Sequence, residues 1–307
     1  MTDIEGFDIA FWEVMIRSND NKSLIYVADF EKVRLQSKIR FMYWKLVQGS
    51  RFRPEGGFPD PACELIERDT RNWVPRGGYQ FFVGDQSGKL QAMFYLEKKS
   101  KFKMNLPDIV DAEFNSTASY KQTANELELN IRTMRDQTGR YPLIYTADWY
   151  WRYMPLRDIF SECELYVSNP TRAALPFLPR NGPWKKARIW QDSFVYKVPG
   201  LVGGTDHDRF MGDEIEFQSF ITDWNPPPPD EFPKKAVCIV RSLWIRSSPM
   251  GNGIGGLKLG DVVDVYELLI DGNGMTWARL SPDGEPSTKW TSMSRIQPNR
   301  MTYMRFI

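Results

Sequence analysis

Asn225 is followed by four consecutive prolines, Pro226 to Pro229. Such a run removes four amide donors and fixes four φ angles, so neither a helix nor an interior strand can pass through it. An extended polyproline spacer is its natural conformation, and a turn within one core is the alternative. As a spacer, it divides the 307-residue chain into a large domain over 1–224, a linker over 225–233 and a tail domain over 234–307. Charge divides at the same place: 30 basic and 33 acidic side chains lie before residue 234, and 10 and 6 from it onward. The tail is mildly basic.

In the large domain, short apolar runs alternate with helical patterns. Strands are expected at Phe7–Phe11, Phe41–Val47, Tyr79–Val83, Ile109–Glu113, Leu143–Tyr145, Leu165–Ser168 and Arg188–Gln191. Between them, Ser116–Thr138 sets Tyr120, Ala124, Leu127, Ile131 and Met134 on one helical face and stops at Gly139, and a second helix is expected over Ser87–Lys99. Continuously apolar strands separated by helices predict parallel pairing with both faces covered. Over more than 200 residues this favours an α/β fold, an irregular TIM-like β/α barrel, and no glycine-rich phosphate loop follows the first strand. The tail has β-type runs at Val237–Ile245, Val262–Leu269 and Trp277–Leu280. They are split by Gly251-Asn252-Gly253 and Asp271-Gly272-Asn273-Gly274, whose glycines supply positive φ for hairpin turns. A small all-β barrel is expected there.

Composition excludes several functions. Lysine and arginine total 40 against 39 aspartates and glutamates, without the basic excess of a nucleic-acid or membrane-surface binder. No stretch approaches the ~18 apolar residues of a membrane span. The three cysteines, Cys63, Cys163 and Cys238, lack metal-ligand spacing and read as reduced thiols. A single histidine, His207, excludes a multi-histidine zinc centre, so neither metal nor cofactor is expected. Met1 to Glu5 is acidic and is not followed by a signal-peptide core, so the expectation is cytoplasmic synthesis with action after release.

Pro107-Asp108-Ile109-Val110-Asp111-Ala112-Glu113-Phe114 carries the strongest chemical signal. On a strand, Asp111 and Glu113 point the same way, about 7 Å apart. Two confined carboxyls cannot both ionise freely, and one is expected to keep its proton near neutral pH. A proton donor beside a stabilising anion is the apparatus for cleaving a glycosidic bond. An Asp-x-Glu at a solvated strand end is the bland alternative. Asp8 lies inside the apolar run Gly6–Trp12, and Asp206 and Asp208 follow two glycines near the end of the domain. Four of these acids, Asp8, Asp111, Glu113 and Asp206, at strand ends of one barrel favour a cleft.

These segments resemble glycoside hydrolase family 25, the muramidases of phage endolysins and of bacterial and fungal lysozymes. The family's first strand, Gly-x-Asp-Val-Ser-x-x-Gln, is matched by Gly6-Phe7-Asp8-Ile9-Ala10-Phe11-Trp12-Glu13. Its second, Phe-x-Phe-Ile-Lys-Ala-Thr-Glu-Gly, is similar to Phe41–Gly49, and its Gly-Tyr-His-Phe to Gly78-Tyr79-Gln80-Phe81. Asp111-Ala112-Glu113, Tyr141–Thr146, Trp190-Gln191 and Thr205-Asp206-His207-Asp208-Arg209-Phe210 follow in family order. The resemblance implies a lysozyme acting on bacterial peptidoglycan. Glu113 would donate the proton, Asp111 would stabilise the cationic intermediate formed by the substrate's own 2-acetamido group, and Asp8 and Asp206 would complete the acidic cleft. Tyr79, Tyr145, Trp190, Gln191 and Lys45 would bind sugar, although barrel packing suits the aromatic residues equally and Lys45 could instead cap its strand in solvent. Gln48 and Gln80 stand where the family has glutamate and histidine, which puts rate and preferred substrate in question.

The tail resembles a bacterial SH3-like domain. Leu243-Trp244-Ile245-Arg246-Ser247-Ser248-Pro249 is similar to Leu-Asn-Val-Arg-Ser-Gly-Pro, and Leu257–Val263 to Leu-Lys-Lys-Gly-Thr-x-Val. The resemblance implies a cell-wall-binding module, and a phage product of this kind would use a helper pore protein for release. Two alternatives stay open: a barrel that binds glycan without cleaving it, as a structural phage component, and a chitinase-like enzyme, since Asp108-x-x-Asp111-x-Glu113 partly resembles that family's acidic strand.

Overall fold

The computed structural model describes residues 4–19, 22–50, 52–53, 55–71, 73–221, 234–270, 275–282, 289–295 and 301–306. The chain separates into two compact units, Met1–Pro226 and Pro227–Ile307. The proline run and the Asp271–Gly274 turn lie outside the described residues.

The first unit is a closed eight-stranded barrel. Its strands are β1 (Glu5–Ile9), β2 (Phe41–Gly49), β3 (Arg76–Phe81), β4 (Ile109–Asp111), β5 (Leu143–Thr146), β6 (Leu165–Ser168), β7 (Ile189–Tyr196) and β8 (Thr205–Phe210). Neighbours run β1-β8-β7-β6-β5-β4-β3-β2, and β2 pairs back onto β1. Six of the junctions are parallel, as continuously apolar strands require. The exception is β8, which pairs antiparallel with both β1 and β7. The seven expected strands pair in parallel, and β8, which is not among them, is the addition. Only the short turn around Gly200 and Gly203 joins β7 to β8, and a parallel crossover needs a dozen or more residues. Because β8 runs backwards, its first residues, including Asp206, lie where the parallel strands end.

Strand alternation sorts the side chains into two layers. Phe7, Ile9, Met42, Trp44, Val110 and Ile144 point outward into the sheet–helix core. Tyr43, Ile109, Leu143, Tyr166 and Ile189 fill the barrel interior. The outer layer is completed by helices α1 (Phe30–Gln36), α2 (Cys63–Thr70), α3 (Gly88–Lys99) and α4 (Tyr120–Thr138). Leu127, Ile131 and Met134 of α4 are fully buried, as their spacing predicts. The helix begins four residues later than expected because the Ser119 hydroxyl accepts from the Gln122 amide and caps it. It stops at Gly139, whose φ of 74° is the left-handed conformation that glycine adopts without strain.

The second unit is all-β. Its strands are β9 (Lys234–Cys238), β10 (Ser242–Arg246), β11 (Gly253–Lys258), β12 (Val262–Val265), β13 (Glu267–Ile270), β14 (Met275–Arg279), β15 (Trp290–Arg295), β16 (Met301–Thr302) and β17 (Met304–Phe306). One sheet has the order β12-β9-β17 and the other β11-β10-β15-β14-β13, with β16 on β15. Ala236, Cys238, Leu243, Leu257, Val265, Ala278 and Met304 form the core. The single expected runs Val237–Ile245 and Val262–Leu269 are each two strands. In the β10–β11 turn the positive φ falls on Met250, at 59°, rather than on the flanking glycines.

Helices α3 and α4 brace the strands that carry half of the barrel mouth, and they meet backbone to backbone. A Cβ on Gly88 would sit 1.7 Å from the Glu126 carbonyl oxygen. The Gly88 carbonyl also accepts from Asn130 Nδ2 at 3.0 Å. Gly88→Ala should therefore push the two helices apart and destabilise the barrel by about 2–3 kcal/mol, read as a lower urea midpoint for that unit. An unchanged midpoint would contradict this close approach.

Candidate active site

Inward-facing side chains at the ends of the parallel strands surround a cleft of about 200 Å³. Asp8 reaches it from β1, Lys45 from β2, Tyr79 from β3, Asp111 from the last position of β4, Tyr145 from β5, Tyr166 from β6 and Asp206 from β8. Glu113, two residues past the end of β4, lines the same cleft. The strand register explains the convergence. Asp111 is level with Tyr145, and Tyr145 with Tyr166, so one inward row runs around the mouth. Tyr145 and Tyr166 meet edge to face, 5.0 Å between ring centres.

Confinement dominates the electrostatics. Burial pushes the Asp111 carboxyl well above the usual aspartate range. The charges of Glu113, Asp8 and Asp206 push it further, against the opposing pull of Lys45. Glu113 is also raised, by burial first and then by Asp8, again opposed by Lys45. Asp206 is pushed up to about 8, by burial and then by Asp8, Glu13 and Glu113. Asp8 is raised by burial, while its hydrogen bonds from Tyr166 and Gln191 work the other way. Burial lowers the Lys45 ammonium, and the surrounding carboxylates partly restore it. Lys45 Nζ donates to Gln48 Oε1 at 2.7 Å and lies 5.1 Å from the centre of the Phe81 ring. A cleft of this composition holds neutral acids and anions together near neutral pH, and so offers both a proton donor and a stabilising charge.

Seven of the nine residues singled out from the sequence line this cleft: Glu113, Asp111, Asp8, Asp206, Tyr79, Tyr145 and Lys45. Gln191 faces inward beneath it. Its Nε2 donates to Asp8 Oδ2 at 2.8 Å, and its Oε1 accepts from Tyr145 and Ser168, each at 2.8 Å. It holds Asp8 and is not among the residues that line the cleft. Trp190 requires a correction. One residue out of phase with Gln191, it points outward, packs with Leu165, Val167 and Ala187, and donates to the Asn169 carbonyl at 2.8 Å. It is no sugar platform.

The departures at Gln48 and Gln80 also separate. Gln48 holds Lys45, whereas Gln80 faces away from the mouth and exchanges two amide hydrogen bonds with Asn130 of α4, each at 3.1 Å. Asp108 lies at the opposite end of β4, bound to Tyr95 and Lys99, so it takes no part in the cleft. The cleft also contains residues not singled out from the sequence, among them Tyr166, Trp12 and Glu13. Tyr166 was detectable as the inward member of its strand. Burial pushes Glu13 up to about 6, opposed by the Ala10 amide and reinforced by Asp8.

Among the described residues, no cluster of three or more histidine, cysteine or acidic side chains could hold a metal, and no helix is long and apolar enough to cross a membrane. The family model described as Glycosyl hydrolases family 25 matches residues 27–201. The N,O-diacetylmuramidase of Arthroderma benhamiae is 27% identical over 226 residues, covering 71% of this chain and 86% of that protein. The uncharacterized protein YegX of Escherichia coli K12 is 25% identical over 221 residues, 71% of this chain and 73% of its own. The bacterial lysozyme of Streptomyces coelicolor has the same fold, with a TM-score of 0.57 at 19% identity, covering 72% of this chain and 97% of that one. The barrel with its carboxyl-lined mouth, and a family match spanning more than half of the sequence, place this chain in glycoside hydrolase family 25.

Proposed function

We propose that the protein is an N-acetylmuramidase that cleaves the β-1,4 bond between N-acetylmuramic acid and N-acetylglucosamine in bacterial peptidoglycan. The observation that carries this reading is the convergence of Asp8, Asp111, Glu113 and Asp206 on one cleft. The fungal relative is an N,O-diacetylmuramidase and the bacterial structural neighbour a lysozyme, and both agree with it.

Glu113 is half-buried at the lip, with its carboxyl raised, and delivers a proton to the glycosidic oxygen as the bond to the anomeric carbon breaks. The oxygen of the substrate's 2-acetamido group forms the new bond to that carbon. Positive charge develops on the sugar, which itself favours ionisation of Asp111, so that Asp111, deeper in the cleft, opposes it as a carboxylate. Water then opens the intermediate and returns a proton to Glu113. Asp8, held from below by Tyr166 and Gln191, and Asp206, across the mouth, position the sugar and add to the negative field. Tyr79 and Tyr145 form the walls.

The second unit supports a wall-binding role, and its SH3-like reading belongs to this proposal. On the outer face of its β10–β11 hairpin, Trp244 is 64% exposed. It is level with Gly256, and its ring lies over Gly253, where a Cβ would come within 2.7 Å. Arg246 and Lys258 share that face. A flat ring on a bare glycine strand, with cations at both ends, suits the apolar face of a sugar that carries anionic peptide. A tether of this kind raises local concentration on an insoluble polymer.

Glu113→Gln should lower turnover roughly 100- to 10,000-fold, measured as reducing-end muramic acid released from purified peptidoglycan. Full activity in that variant, fragments ending in glucosamine, or binding without solubilisation would each refute the assignment. Lys45→Met removes the cation that holds the Glu113 and Asp111 pKa values down. Since the donor must be protonated, the alkaline limb of the activity profile should move to higher pH, and a shift to lower pH would contradict the placement of Lys45. Trp244→Ala should reduce pelleting with insoluble wall and clearance of that wall more than turnover of soluble fragments. An equal effect on both substrates would remove Trp244 from wall binding.

A further inference from the structure

Asp208 takes no part in the chemistry above, yet it is the most deeply enclosed acid of the barrel. It faces inward from β8, level with Gly6 of β1 and Gln191 of β7, and is 0% exposed. Neither carboxyl oxygen meets a partner in good hydrogen-bond geometry among the described residues, although the Tyr166 hydroxyl lies close enough to draw the group toward ionisation. The groups that act on it most strongly are Asp8 from β1, Tyr166 from β6, Asp206 on its own strand and Asp192 from β7, and it in turn acts on the Tyr43 hydroxyl from β2. Three of these five are carboxyls and two are phenols. An ionised carboxylate whose neighbouring hydroxyl already gives its proton to Asp8, and which faces several other acids, is among the most expensive groups to bury. A neutral carboxyl avoids that penalty and gains a proton to donate.

The neighbouring tyrosine can take that proton. Tyr166 lies beside both Asp208 and Asp8. Its single hydroxyl proton goes to Asp8 Oδ2 at 2.7 Å, which leaves the phenol oxygen free to accept. We propose that Asp208 is a protonated carboxyl that donates to the Tyr166 oxygen and thereby aims the Tyr166 hydroxyl at Asp8. Asp208 is then a positioning residue. The relay runs from Asp208 to Tyr166 to Asp8, and each donor strengthens the next. Gln191 converges on the same Oδ2 at 2.8 Å, so Asp8 is fixed from two sides below the cleft that it lines. The positioning role rests on the muramidase reading, whereas the protonation state does not.

Two measurements test the two parts separately. The infrared difference spectrum between the full-length protein and Asp208→Asn, near neutral pH, should show loss of a protonated-carboxyl stretch. Loss of an ionised-carboxylate band instead would overturn the proposal. The sign of the linked stability effect is also set. A carboxyl that is neutral when folded releases its proton on unfolding above its ordinary value of 3.8. Wild-type stability therefore falls relative to Asp208→Asn as pH rises from there, and the melting-temperature advantage of the variant should grow. An advantage that shrinks with rising pH would refute a neutral Asp208.

The second measurement reads function on soluble glycan fragments. Asp208→Leu fills the space without a donor and should lower kcat about tenfold, the equivalent of one hydrogen bond, with KM little altered. Asp208→Asn, whose amide can donate to the tyrosine, should restore most of that loss. Equal impairment in both variants, or none in Asp208→Leu, would remove the positioning role. If the wild-type protein cleaves no glycan, the muramidase reading fails while the infrared and melting results still decide the state of Asp208.

Discussion

Packing several carboxyl groups into one barrel mouth, with one lysine beside them, is the constraint from which the site's chemistry follows. Water would let each of them ionise below pH 5, but the closed barrel withholds water and turns each negative charge against the others. Protons must stay in the cleft. Asp111, Glu113 and Asp206 are all raised for this reason, and Asp8 is drawn back toward ionisation only because Tyr166 and Gln191 donate to it. A mouth with the same acids spread over an open surface would supply neither a neutral acid nor a concentrated field.

Barrel closure makes this arrangement rigid. Seven of the eight strands contribute an inward side chain to the mouth, and outward neighbours such as Phe7, Trp44, Val110 and Ile144 are locked in the sheet–helix core. The pairing of Asp8 with Tyr166 bridges 158 positions, and that of Asp8 with Gln191 bridges 183. Such contacts exist only because β1 and β6 to β8 belong to one closed sheet. The reversed strand β8 matters most here. Running against its neighbours, it delivers Asp206 to the mouth and Asp208 to the floor with a single two-residue step.

Much of the fold was legible along the chain. The positions of seven barrel strands, the capped helix ending at Gly139 and the change of pattern after the prolines follow from local rules that need no knowledge of neighbours, whereas the polar run Thr205–Phe210 is a strand only because β1 and β7 pair with it. The period of two in β4 explains why Asp111 faces the interior, and why Val110 between its inward neighbours joins the helical core. The same rule could have corrected Trp190, since a residue adjacent to an inward Gln191 must point outward. The Trp190-Gln191 pair sends one side chain to each face of the sheet. Gln80 and Gln48 look equivalent as departures from the family, but one faces a helix and the other a lysine.

Residue type and periodicity alone determined which groups could do chemistry, how they alternate along each strand and where two folding units divide. These are properties of short segments, set by backbone geometry and side-chain solubility. Tertiary structure decided which acids crowd one another, that Lys45 turns inward beside Gln48, and that the barrel's last strand runs antiparallel. It also placed a fully enclosed Asp208 beside Tyr166. Those outcomes depend on distances between residues far apart in the chain, and both desolvation and Coulomb interaction are set by such distances and not by order along the backbone.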